Sequence, residues 1–136
     1  MELSHHDLSA WKAGVELVKL TYVQTRQFPA DERFGLTAQM RRAAVSVPSN
    51  IAEGAARKSK ADFLRHLMTA RASLAELETQ LRVAVELEML TEDGGRALED
   101  SIQRTFALLS GLIRSVERQR ASGVASPEAP PYDEDH

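Results

Sequence analysis

From Phe63 to Ala84 the apolar residues return at steps of three and four: Phe63, Leu67, Ala70, Leu74, Leu77, Leu81 and Ala84. Those steps place all seven on one face of an α-helix, whereas a strand would divide them between two faces. A period near 3.5 is also the seam of left-handed bundle packing, so this helix, expected over about 59–88, requires partners of its own kind. Ser59 and Asp62 form an S-x-x-D start just before it, a capping signal.

A second stretch repeats the pattern with Leu98, Ile102, Thr105, Leu109, Leu112 and Val116. It opens at Thr91 or Asp93 and ends near Arg120, with a first turn expected to fray because Gly94 and Gly95 are poor helix formers. Upstream, Leu8, Trp11, Val15, Val18, Tyr22 and Thr25 mark a helix over 8–28, closed by Phe28-Pro29. Trp11 sits among neighbours at helical spacing, so it reads as a core anchor rather than a platform for a base.

A further helix runs from about Glu32 to Ala55, with Leu36, Met40, Ala43, Val47 and Ile51 as its stripe and Pro48 inside it. Proline has no amide for the Ala44 carbonyl and crowds that turn, which predicts a kink. Gly54 suits a left-handed C-terminal cap. Ser46, Asn50, Glu53 and Arg57 follow one another along one side of this helix. They read either as a polar seam against the next helix, or as an exposed face that recognises a partner. Ser46, Asn50 and Glu53 are also the one candidate lining for a small-molecule pocket. No stretch alternates with the period of a strand, so the expectation is all-α, a four-helix bundle running up-down-up-down with a kinked second helix.

The chain of 136 residues is sized for one domain, and 43% apolar residues suffice for its core. The bundle is expected over 1–121, with 122–136 a flexible, acidic, proline-rich tail. There is no cysteine, no signal-peptide pattern at the start, and the longest apolar run (106–113) is far short of a membrane span. A cytoplasmic protein without a membrane partner is the expectation.

Charge is unevenly placed. Between 41 and 71 seven cations (Arg41, Arg42, Arg57, Lys58, Lys60, Arg65 and Arg71) face two anions, Glu53 and Asp62, a local net of +5 in a chain of net −3. The tail carries four acids and no Lys or Arg, which leaves 17 bases and 16 acids in residues 1–121. The basic stretch suits phosphate, and the start of the third helix adds its own positive potential. Chemistry finds no support. His5, His6, His66 and His136 share no ligand spacing, Glu76, Glu78, Glu86 and Glu88 read as a solvated face, and there is no phosphate loop or catalytic triad. The expectation is a binding protein with no metal and no cofactor, not an enzyme.

The segments GL-x-x-Q-x-RRA (35–43), SVPSNIAEG (46–54) and A-x-x-SL-x-ELE (70–78), after Trp11 and FP-x-x-E (28–32), resemble a bacterial four-helix-bundle family. That family includes proteins encoded in intervening sequences of 23S rRNA genes and the accessory variability proteins of retroelements. The resemblance implies a homopentameric ring, and for the retroelement members binding of nucleic acid through a basic surface and association with a nucleic-acid-processing protein, a reverse transcriptase. Carried onto this chain, it makes Arg41, Arg42, Arg57, Lys58, Lys60 and Arg65 candidates for contact with structured RNA. Ser46, Pro48, Asn50 and Glu53 match the motif core and are expected to hold the second helix or serve a subunit interface.

Overall fold

The computed structural model describes residues 5–122, with the backbone alone for His5 and His6. Four helices account for most of them: α1 (His5–Thr25), α2 (Leu36–Ala55), α3 (Lys60–Glu86) and α4 (Glu92–Ser122), with a 3-10 turn at Ala30–Glu32 before α2. There is no strand among the described residues. Of the tail expected over 122–136, Ser122 ends α4 and the rest lies outside the described residues.

Cross-helix neighbours fix the topology. Gly14 lies against Pro48 and Arg41 reaches Thr25, so α1 and α2 are antiparallel. Gly54 meets Phe63 while Ser46 meets Ser73, which sets α2 against α3. Val85 beside Gly95, and Glu78 bonded to Gln103, do the same for α3 and α4. Thr105 near Ala13, and Gln24 beside Gly94, close the cycle from α4 to α1. Each helix packs on two neighbours and the diagonal pairs stay apart, which is the up-down-up-down bundle. One end carries the α2–α3 turn and the far end of α4. The opposite end carries the α3–α4 turn and the start of α2.

The stripes of α3 and α4 are buried throughout, from Phe63 to Ala84 and from Leu98 to Val116. Each fully buried leucine contributes about 1.5–3 kcal/mol of transfer free energy, so these two faces dominate the core. In α1 the buried face differs from the expected one. Ala10, Ala13, Gly14, Leu17, Thr21 and Thr25 point inward, while Leu8 and Tyr22 are exposed and Trp11, Val15 and Val18 only partly covered. At Gly14 the reason is distance: a Cβ there would stand 3.2 Å from Pro48 Cδ, so α1 comes close to α2 at a residue without a side chain.

The helix boundaries differ in the same informative way. Glu32 precedes α2 and caps it, its Oε1 accepting from the Leu36 amide at 3.0 Å. α2 is uninterrupted through Pro48. Gly54 is not a left-handed cap, because no described glycine has a positive φ. It lies within α2, where a Cβ would come 2.8 Å from Phe63 Cδ1 and 2.8 Å from His66 Cβ. Gly94 and Gly95 are buried inside α4 rather than frayed. Thr91 caps them, its Oγ1 accepting from the Gly94 amide at 3.0 Å. The cost of glycine in a helix, about 1 kcal/mol relative to alanine, is offset by the close approach it permits.

Candidate nucleic-acid interface

The α2–α3 turn is built by close approach. Gly54 lets the last turn of α2 sit flush against Phe63 and His66, so four residues (56–59) suffice to reverse the chain. Ser59 ends the reversal in an extended conformation and caps α3, its buried hydroxyl accepting from the Asp62 amide at 3.0 Å. Around this buried serine Arg57, Lys58 and Lys60 are all exposed. Lys60 Nζ stands 6.0 Å from the Phe63 ring, at the limit of a cation–π contact, so its charge stays available to solvent. The amino-terminal amides of α3 add positive potential at the same place.

The other candidates divide. Arg65 lies one turn into α3, exposed but ion-paired with the buried Asp62. Arg41 is held between helices: its Nε donates to Thr25 Oγ1 at 2.9 Å and its guanidinium lies 4.4 Å from the Tyr22 ring centroid. It works as a strut between α1 and α2. Arg42 is exposed, but thirteen residues separate it from Ala55, about 20 Å along the helix. The six candidate cations therefore do not form one patch. Arg57, Lys58, Lys60 and Arg65 share the α2–α3 turn, and Arg41 and Arg42 sit toward the opposite end of the bundle.

The motif residues form a seam directly behind the turn. Ser73 Oγ donates to Ser46 Oγ at 2.8 Å, and Asn50 Nδ2 donates to the Ser46 carbonyl at 2.8 Å and its hydroxyl at 3.0 Å. His66 Nδ1 lies 3.2 Å from Asn50 Oδ1 and 3.9 Å from Glu53 Oε2. Glu53 itself is exposed, and Arg57 lies beyond the seam in the turn. Pro48 is buried on the other side of α2, against Gly14. This arrangement fixes α2 on α3 and so holds the turn cations in place. Sequence reading missed His66 and Ser73 as partners; their seven-residue separation on one face of α3 was the available signal. Among the described residues no group of three or more His, Cys, Asp or Glu could hold a metal ion, and no helix is long and apolar enough to cross a membrane.

The family model for the 23S rRNA-intervening sequence protein matches residues 6–111, which include the whole turn and all of the bundle except the last turns of α4. The chain belongs to the 23S rRNA-intervening sequence protein family. Among solved structures it is similar to a protein of unknown function from the S23 ribosomal protein family of Bacteroides thetaiotaomicron. That likeness has a TM-score of 0.72 at 22% identity and covers 80% of this chain and 98% of the other, which supports the bundle fold. No curated protein matches the sequence. The four cations of the α2–α3 turn and the seam behind them all fall within the matched segment.

Proposed function

We propose that this protein is a non-enzymatic bundle that binds structured RNA, or a ribonucleoprotein, through the α2–α3 turn. The observation that carries the reading is the grouping of Arg57, Lys58 and Lys60, all exposed, around a capped helix start with Arg65 one turn behind. Guanidinium and ammonium groups beside free helix amides suit phosphate oxygens, which are read without regard to sequence. No exposed aromatic accompanies them at the turn, so stacking on single-stranded bases is a poor match. Contact with the shape of a folded RNA fits better. The chain acts as a homo-oligomer in this reading, the homopentameric ring being the state that the family resemblance implies, and it works in the cytoplasm without a cofactor.

The test is binding of a structured RNA hairpin by the full chain across a salt series, beside an Arg57→Ala/Lys58→Ala/Lys60→Ala variant. The expected wild-type result is a linear fall of log affinity with log salt. The variant flattens that slope by roughly 0.7–0.9 unit for each phosphate it no longer neutralises. Absence of binding at about 0.15 M salt would overturn the RNA reading. It would leave the turn as a docking site for acidic side chains of a partner protein. Native mass of the same samples checks the oligomer.

A further inference from the structure

The opposite end of α3 has the reverse character. Between α3 and α4 runs an open groove of 1130 Å³. Leu81, Val85, Leu90 and Gly95 form its floor, and Glu78, Glu86, Glu88, Glu92 and Glu99 line it against two cations, Arg82 and Arg96. Arg96 is already engaged by Glu92 at 3.9 Å and Asp93 at 3.3 Å. Gly95 opens the floor, because any side chain there would come against Val85 Cγ2, 3.3 Å from a Cβ. Val85 is left 44% exposed.

Apolar exposure gathers at this end of the bundle. Of the eight large hydrophobics exposed among the described residues, six (Tyr22, Val23, Phe34, Val83, Val85 and Leu87) lie on the segments that meet there. Phe34 is 85% exposed and Leu87 58%. Exposed apolar surface rimmed by charge is the composition of an interaction site.

Two details show that Glu86 and Glu88 are not placed for the bundle's own benefit. Glu86 and Glu88 sit at the carboxyl end of α3, where the helix dipole disfavours negative charge. Glu88 also has φ 57, a left-handed conformation that costs a side-chain-bearing residue roughly 1–2 kcal/mol and that glycine adopts freely. Farther from the α3–α4 turn the exposed Gln103 Nε2 donates to Glu78 Oε2 at 2.7 Å and to Glu99 Oε1 at 3.1 Å, holding two carboxylates together across α3 and α4.

We propose that this groove docks a cationic amphipathic helix carried by another polypeptide, its apolar residues on Val85 and Leu90 and its Lys or Arg side chains on the glutamate rim. Helix-in-groove recognition needs both halves of that match. The most cationic surface of a second copy, its α2–α3 turn, supplies only one of them. It offers Arg57, Lys58 and Lys60, but no large apolar residue is exposed between Ala56 and Lys60 to cover Val85. The groove is separate from the RNA-binding turn, so this inference stands whether or not that reading does.

The experiment titrates the full chain at about 0.15 M salt with three synthetic peptides. One has Leu and Lys at helical spacing, one replaces every Leu by Ser, and one replaces every Lys by Glu. The Leu/Lys peptide is expected to bind, with affinity falling about tenfold in Val85→Ser and again in Glu86→Gln/Glu88→Gln, while Val45→Ser, an exposed valine elsewhere, changes nothing. Charge reversal by Glu86→Lys/Glu88→Lys should transfer binding to the Leu/Glu peptide. Helicity and melting of each variant establish that it is folded. Equal binding by the Ser/Lys peptide, indifference to the groove substitutions, or groove variants that turn an oligomer into a monomer would each overturn the proposal; the last would assign the groove to a second copy.

Discussion

The two ends of α3 rest on the same kind of core but present opposite surfaces. At the amino end a glycine contact and a serine cap make a tight turn, with cations around a buried hydroxyl. At the carboxyl end α3 closes through Glu88 in a left-handed conformation, with glutamates around the exposed Val85. Lys60 in the first turn and Glu86 in the last both oppose the helix dipole, each at a cost of about 0.3–1 kcal/mol at an exposed site. Asp62 in the first turn offsets part of that cost, and Glu92 and Asp93 favour the start of α4. Folding alone would not select lysine at one end of α3 and glutamates at the other. In the two proposals above those charges face partners.

Substitution can break this comparison. The largest effect is expected at the amino end, where Gly54→Leu would drive a side chain into Phe63 and His66 and into the Phe63 carbonyl, 3.2 Å from a Cβ. Overpacking of that kind costs about 3 kcal/mol, measured by urea unfolding. Gly94→Ala is the counterpart at the other end. Its Cβ would meet the far end of the Gln24 side chain, which can move aside, and stand 3.0 Å from the capping Thr91 Oγ1, so the variant should lose about 1 kcal/mol, less than Gly54→Leu. Equal losses at the two glycines would remove the distinction between a forced approach and a tolerant one.

Two effects of intermediate size sharpen the contrast between the turns. Ser59→Ala leaves the Asp62 amide without its cap and should destabilise by about 1 kcal/mol. Glu88→Gly should instead stabilise by about 1 kcal/mol by relieving the left-handed residue. Thermal melting of the pair would then move in opposite directions.

The smallest effect is a pH dependence. Burial raises the Glu99 carboxyl above its ordinary value and the neighbouring Glu78 carboxyl adds to this, while the Gln103 hydrogen bond and Arg82 pull it down. A carboxyl raised in the folded state binds its proton more tightly there than in the unfolded chain. Its contribution to stability is therefore full below the ordinary carboxylate range and lost as pH rises through the folded value. Glu99→Gln should gain stability over wild type at pH 7, and the gain should shrink as pH falls below that range. A gain that does not vary with pH would show that Glu99 is unperturbed.

How legible the molecule was in sequence follows from residue size. The stripes of α3 and α4 were readable because leucine and isoleucine fill them, and large side chains mark the buried face. In α1 most inward residues (Ala10, Ala13, Gly14 and Thr21) carry little hydrophobic signal. Periodicity therefore picked out Thr25, Trp11 and Val18, which do meet the core, but took in the exposed Leu8 and Tyr22 and passed over Leu17. The turn cations were visible as a charge run, but the capture of Arg41 by Tyr22 and Thr25 depends on the register of α1 and α2, which no local pattern states. Glu78 and Glu88 read as solvated acids, and Glu88 is exposed, but their placement was not legible. One is bonded across to α4, and the other's conformation is set only once the chain has turned.

Sequence by itself determined the helical class, the four segments, the capped start of α3 and the placement of positive charge near the second turn. Each of these rests on local chemistry: a period, a cap, a count. Tertiary structure decided which glycines are contacts and not caps, which arginines remain available, and that the ends of α3 face solvent with opposite charge. Those outcomes depend on distances between helices remote in the chain, and close packing sets such distances only when all four helices are in place.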